Sequence, residues 1–423
     1  MVTADEDSVL FIYEADDGFL VRRVGPASNL PDSLEHGTAA ETATRGLAGL
    51  WGLPDFVYQP RQSRTGSGVR ELGDAVLSVN DIAAVVQVKA RTAPSTNRAR
   101  ETSWLDKHIK EAERQAKGTI RRLSTQSSVT LRNLRGRDIQ LDCTSKTWVH
   151  AVVIDHPGLD GYVPPCTTTL LRRDWDFLFE QLKSTHAVLE YMQRITDTEP
   201  IGLGAEVARY YGLAQADLDA PPHPLDAGEL EGRVQHASGP SLPRTPAGHD
   251  SLEYHSVLRR IQEDIATAPR PQGLTEEDFI EVLAAIDSLP VGHRSDLGQL
   301  LLNRLPAQPA GPGELPIPQI RSILGAHHAG LLFVTLNQEY DEHVQTAITG
   351  LALLRHEQLG EIFPWYGRRR MTVVVCLTPR ADGLGRWDTT VAATRGQAEL
   401  TSDDRATLEA FWGRPGQAPT GLS

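Results

Sequence analysis

The sequence predicts a mixed α/β chain of the α+β kind: a helix–strand–strand–strand–helix–strand core over residues 37–154, then a helix-rich C-terminal region. Three observations predict it. Apolar residues recur at helical spacing over 37–51, alternate or run continuously over 56–90, and return to helical spacing over 103–123. The segment VLSVNDIA places Asn80–Asp81 as a two-residue turn between two apolar runs. A stretch rich in Pro, Gly, Asp and His at 217–250 divides a chain of 423 residues, a length that suits two domains.

The elements follow in order. SVLFIYEADDGFLVRRV at 8–24 reads as a hairpin turning at DDG. Residues 37–51 form a helix with Ala40, Ala43, Leu47, Leu50 and Trp51 on one face. A strand begins at Phe56–Tyr58 and stops at Pro60, which cannot donate to a ladder. Strands at 72–79 and 82–90 form the hairpin, and an amphipathic helix covers 103–123. VTLRNLRGRDIQLD is a second hairpin turning at Arg135–Gly136, added before an apolar strand from Trp148 to Ile154. Residues 173–195 are helical. Beyond the break, Tyr254, Leu258, Ile261 and Ile265 mark one helix, and TEEDFIEVLAAIDSL another with Thr275 as N-cap. Strands near 330–336 and 371–378 flank a helix at 340–357. The expected domains are 1–200, a partly Pro/Gly-rich linker 201–252, and an acidic helical and α/β domain 253–423.

Charge is uneven. The chain carries −13 overall, divided as −6 over residues 1–50, +7 over 51–150 and −14 over the remainder. Attraction to phosphate follows the local patch rather than the total, so the one basic block points to a nucleic-acid partner. No apolar run is long enough to span a bilayer, and the acidic N-terminus lacks the basic region of a secretory signal. Cys143, Cys166 and Cys376 are far apart with no CxxC pair, which suits buried thiols in a reducing cytoplasm.

The basic block contains the most unusual strand. Gln87 and Lys89 interrupt the otherwise apolar run IAAVVQVKA. A buried strand tolerates such residues only when something compensates them. A two-residue turn at 80–81 pairs residues whose numbers sum to 161, so Asp74 faces Gln87, on the face shared with Lys89. A carboxylate and an amide oxygen are hard ligands suited to Mg²⁺ or Mn²⁺, and a neighbouring lysine can orient water. Phosphodiester hydrolysis uses all three. The alternative is a partly buried Asp74–Lys89 ion pair with Gln87 as a hydrogen-bond filler.

Asp74 followed by Gln87-Val88-Lys89 on the next strand resembles the motif of the PD-(D/E)xK nucleases, in the QxK form of the Mrr-like restriction nucleases. The order of elements over residues 37–156 is similar to that family's restriction-endonuclease-like core. The resemblance implies that Asp74 and Gln87 hold the metal, that the Val88 carbonyl completes its shell, and that Lys89 activates water. It also implies a glutamate from the first helix, here Glu41, and a supporting residue on the second, here Gln115. It implies cleavage of DNA to 5′-phosphate ends, and a role in restriction or defence against foreign DNA. The family name's literal Pro-Asp is spelled by Pro54-Asp55, making Asp55 a rival for the role of Asp74. Gln87 is neutral where many members carry an acid, so a weak or inactive nuclease fold serving as a nucleic-acid- or protein-binding component of a complex is the competing function.

For nucleic acid, Lys107, Lys110, Arg114, Lys117 and Arg121 form a stripe opposite the apolar face of the second helix. Arg61, Arg64 and Arg70 sit in a Gly-containing loop before the hairpin, expected to be flexible. DNA is the expected substrate, with RNA as the variant. The C-terminal region, acidic enough to repel DNA, is expected to serve a protein partner, regulation or homodimerisation. His327–His328 and Asp341-Glu342-His343 lack metal-ligand spacing and read as loop or surface residues.

Overall fold

The computed structural model describes residues 8–15, 18–59, 63–65, 68–70, 73–219, 242–243, 252–269, 275–306, 309–310, 318–324, 330–362, 371–382, 385–396 and 400–412. It is mixed α/β and divides into two units, Met1–Leu230 with His236–Pro246, and Glu231–Gln235 with Ala247–Ser423.

The first unit opens with β1 (Val9–Ala15) and β2 (Gly18–Val24), an antiparallel pair whose turn residues 16–17 lie outside the described residues. Then come α1 (His36–Trp51), a 3₁₀ turn (Pro54–Phe56), β3 (Val57–Gln59), β4 (Ser63–Thr65), β5 (Gly68–Arg70), β6 (Ala75–Val79), β7 (Ile82–Ala90) and α2 (Arg98–Leu123). The chain continues through β8 (Ser128–Asn133), β9 (Asp138–Asp142), β10 (Thr147–Asp155), β11 (Thr169–Leu171), α3 (Arg172–Leu182), α4 (Thr185–Thr196) and α5 (Glu206–Asp219). Among the described residues the main sheet has seven strands in the order β11-β10-β7-β6-β3-β8-β9. β7 lies parallel to β10, and β10 to β11, while the other neighbours are antiparallel. The expected run α1–β3–β6–β7–α2–β10 is present, and the second hairpin extends the sheet beyond β3.

The Asn80–Asp81 turn forms with Asn80 in the left-handed region at φ 50°, a conformation Asn tolerates better than most residues. The ladder runs Val79↔Ile82 to Ala75↔Val86, the expected register. β7 is buried from Ile82 to Val88, as befits a strand with neighbours on both edges and helices over the sheet. Leu105, Ile109 and Ala112 of α2 pack on Val152 and Ile154 of β10. In the β7–β10 register those two residues pair with Gln87 and Lys89, so both polar residues face α2.

Four expectations are corrected. α1 does not bury the Leu47–Leu50 stripe: Leu50 is 63% exposed, and the buried face is Ala39, Ala40, Thr44, Ala48 and Gly49. Small side chains allow close approach, so size overrides hydrophobicity there; a Cβ on Gly49 would stand 3.0 Å from Leu134 Cδ1. Residues 173–195 are two helices, because Lys183 turns left-handed at φ 49° and Ser184 caps α4 by accepting from the Ala187 N–H. The linker beginning at residue 201 contains α5, and Leu242 and Pro243 are bonded back to Asp217, Tyr210 and Gln181 of the same unit. The basic loop is a short hairpin, with Ser63↔Arg70 and Arg64↔Val69 paired.

The second unit contains α6 (Leu252–Thr267), α7 (Glu276–Asp287), α8 (Val291–Arg304), β12 (Gln319–Leu324), β13 (Gly330–Thr335), α9 (Glu342–Ile362), β14 (Met371–Pro379), β15 (Trp387–Arg395) and α10 (Ser402–Trp412). Its sheet order is β12-β13-β14-β15, parallel only between β13 and β14. Val344, Ile348, Leu351 and Ala352 of α9 pack on Leu332, Val334 and Val374. Thr275 caps α7 in a reciprocal capping box with Asp278. Asp341 caps the start of α9 by accepting from the Val344 N–H, so it is a structural residue, while His327–His328 lie outside the described residues. Among the described residues no helix is long and apolar enough to cross a membrane.

Candidate active site

The site is built where β6 ends beside β7. The Asp74 N–H donates to the Val86 carbonyl at 3.0 Å, while the ladder pairs Ala75 with Val86. Two consecutive residues therefore oppose one, which is the geometry of a β-bulge. Asp74 does not sit squarely across from Gln87, as a straight ladder would have it. The bulge turns its carboxylate along the edge of β7, where Oδ2 accepts the Val88 N–H at 2.6 Å. Gly73 makes the bend possible at φ 113°, and a Cβ there would stand 3.1 Å from Gln87 Nε2 and 3.0 Å from Val85 Cγ1.

The Asp74 carboxylate is thus seated on the backbone between Gln87 and Lys89. An extended residue directs its N–H and C=O to the same edge of its strand, so the Val88 carbonyl also points to the Asp74 side. Gln87 is buried, and Lys89, half-buried, donates from Nζ to Gln115 Oε1 of α2 at 3.1 Å. The expected supporting residue on the second helix does hold the lysine.

Glu41 stands on α1 with its Oε2 3.7 Å from Arg45 Nη1, and Arg45 Nη1 donates to the Asp74 carbonyl at 2.7 Å. Arg45 joins the helix glutamate to the bulge. The sequence points to Glu41 but not to Arg45, because an arginine one turn along a helix carries no signal of its target. His108 of α2 is also beside Lys89. Burial holds its imidazole below the ordinary range, with Lys107 adding repulsion, Glu111 opposing it, and Lys89 and Arg91 contributing less.

Asp55, the rival acid, is fully buried in the 3₁₀ turn that leads into β3. Its Oδ2 accepts from Arg135 Nε at 2.5 Å, and Arg137 Nη1 lies 3.9 Å from Oδ1. It fastens the 3₁₀ turn to the β8–β9 hairpin and is a structural residue.

A clamp fixes β7 against the start of α2. Arg91 grips buried Glu101 with two hydrogen bonds of 3.2 and 2.9 Å, the Ser95 N–H donates to it at 2.9 Å, and His156 Nε2 lies 3.0 Å away. Trp104 stacks on His156 and lies under the Arg91 guanidinium. Hydrogen bonds from Arg91 first, then His156, hold the Glu101 carboxyl down to about 2. A depressed acid contributes stability that is fully present above its unfolded value near 4.5 and is lost as pH falls toward 2. We expect the urea midpoint to fall through that window in the native chain and to fall less steeply in Glu101→Gln.

Of the predicted phosphate-binding residues, Lys107, Lys110, Arg114, Lys117 and Arg121 are all exposed along α2. Lys117 is engaged by Glu113 at 2.6 Å. Arg61 and the side chains of Arg64 and Arg70 lie outside the described residues. Cys143, Cys166 and Cys376 are buried thiols, as the sequence predicts, and Trp175, Phe177 and Phe179 are core. Compared with known proteins, the chain matches no family model, no curated protein and no solved structure.

Proposed function

We propose that the first unit is a divalent-metal-dependent nuclease of the PD-(D/E)xK type, in its QxK form, acting on DNA phosphodiesters. The observation that carries the reading is the Asp74 carboxylate held on the Val88 amide between Gln87 and Lys89. The order α1–β3–β6–β7–α2–β10, with β3, β6, β7 and β10 as successive neighbours in the sheet, supports a restriction-endonuclease-like core. The oxygen donors Asp74, Gln87, the Val88 carbonyl and Glu41 fit Mg²⁺ or Mn²⁺. Such an ion, when bound, supplies an acidified water and stabilises charge on the phosphoryl oxygens. The chain's own part is to orient. Asp74 is fixed by the backbone, Lys89 by Gln115, and Arg45 ties the bulge to α1. In this reading Lys89 donates to the attacking water or to a phosphate oxygen. The exposed cations of α2 offer a ridge for the strand.

Plasmid, single-stranded DNA and RNA, each with Mg²⁺, Mn²⁺ or chelator, test the reading. Metal-dependent DNA cleavage lost in Asp74→Ala and Lys89→Ala supports it. Cleavage surviving both substitutions overturns the site, and cleavage of RNA alone overturns the substrate. Binding without cleavage, and without a metal-dependent thermal shift, establishes a nucleic-acid-binding protein instead. Gln87 and the Glu41–Arg45 pair favour that outcome, since both reduce the negative charge facing a cation. For the ridge, Lys107→Ala or Lys110→Ala should each lower the slope of log affinity against log salt by about 1, with little change in sequence preference.

A further inference from the structure

The opposite flank of α2 carries a different set of donors. Glu113 and Gln115 are two positions apart, roughly 200° around the helix, so Glu113 faces away from the Lys89 side. Its carboxylate, the His150 imidazole of β10 and the Cys166 thiol before β11 have ligand atoms all within 4.8 Å of one another. Cys166 Sγ lies 3.3 Å from His150 Nε2 and 3.2 Å from Thr168 Oγ1, and Cys166 is buried. Lys117 Nζ rests on Glu113 Oε1 at 2.6 Å.

We infer that Glu113, His150 and Cys166 bind a borderline divalent ion, Zn²⁺ by preference, independently of the oxygen-donor site at Asp74. Tetrahedral zinc with bonds of about 2.0–2.3 Å sets its ligand atoms roughly 3.3–3.8 Å apart, and the thiol–imidazole separation already falls there. The Glu113 carboxylate is half-buried on a long side chain, with its oxygen within 4.8 Å of the other two ligand atoms. A thiol and an imidazole select zinc over magnesium. Lys117 is exposed, and its bond to Glu113 is a surface pair of the weak i,i+4 kind that a metal displaces. Three protein ligands leave a fourth position for water. The ion would join α2, β10 and the segment before β11, and should raise the melting temperature with metal concentration.

Cobalt provides the test. Chelator-treated protein in excess Mg²⁺, titrated with Co²⁺, should develop a near-ultraviolet thiolate-to-cobalt band and an intense visible spectrum at one equivalent, both erased by Zn²⁺. Cys166→Ser should abolish the band. Glu113→Gln should retain it with affinity at least about tenfold weaker. Asp74→Asn should leave it unchanged. If Cys166→Ser does not fold, Zn²⁺ should protect Cys166 of the native chain from alkylation, read by mass spectrometry. Absence of the charge-transfer band, its persistence unchanged in Glu113→Gln, or alkylation of Cys166 indifferent to Zn²⁺ overturns the proposal, the thiol–imidazole contact then being a hydrogen bond alone.

Discussion

On the proposed nuclease function, Asp74→Asn should preserve the fold and remove most of the DNA hydrolysis. The amide oxygen of Asn can still accept the Val88 N–H, so the bulge keeps its internal bond. The formal charge disappears, and with it the strongest attraction for a divalent ion. Loss of one preorganised electrostatic contributor costs about 10²–10³-fold in rate. Asp74→Ala should match that loss and also destabilise, because it leaves the Val88 N–H without its acceptor, at about 1–3 kcal/mol if water cannot reach it. Cleavage rates on plasmid, with urea midpoints for both variants, separate the two effects. Equal rates for Asp74→Asn and the native chain would exclude this carboxylate from the chemistry.

Asp55→Ala should show the reverse. Asp55 is 0% exposed, whereas its partner Arg135 retains 16%. Removing one member of a buried pair costs about 3–5 kcal/mol, and some access of Arg135 to water places the expectation near the lower end. That is a large share of the 5–15 kcal/mol typical of a domain. The urea midpoint should drop sharply while the cleavage rate, measured where the variant is folded, stays within about twofold. A variant of native stability and no activity would return Asp55 to the role assigned to Asp74.

Between them these residues show what a single sequence reveals. The β6–β7 register was legible because a two-residue Asn-Asp turn leaves one natural pairing, and it placed Gln87 and Lys89 on one face. Gln115 was legible because helix spacing puts it on the flank of a helix that must cover that strand. The bulge was not, since it depends on Gly73 and on a hydrogen bond one residue out of register. Arg45 was hidden for a related reason: its partner is a backbone carbonyl, which every residue possesses. The face of α1 was misjudged because hydrophobicity predicts burial, whereas close packing here selects small residues. Glu113, His150 and Cys166 have no metal-ligand spacing and meet only through the fold. In the second unit, α8, β12 and β15 lack strong caps or periodicity and were unread, and α10 was unread although Thr401 caps it by accepting from the Asp404 N–H.

The pairing of β7 with β10 has a consequence in time. The β6–β7 hairpin closes over two residues, and such hairpins form in about 1–10 μs. Asp74, Gln87 and Val88 therefore meet through local contacts alone. The parallel strand β10 must wait for α2 and the β8–β9 hairpin to be made, and loop closure of that length is slow. Lys89 gains its Gln115 partner only when α2 has docked. Topology therefore predicts that the acid end of the site forms early, from local contacts, and the lysine's seat late. A chain interrupted before residue 147 would lack the strand that pairs with β7 beside the second.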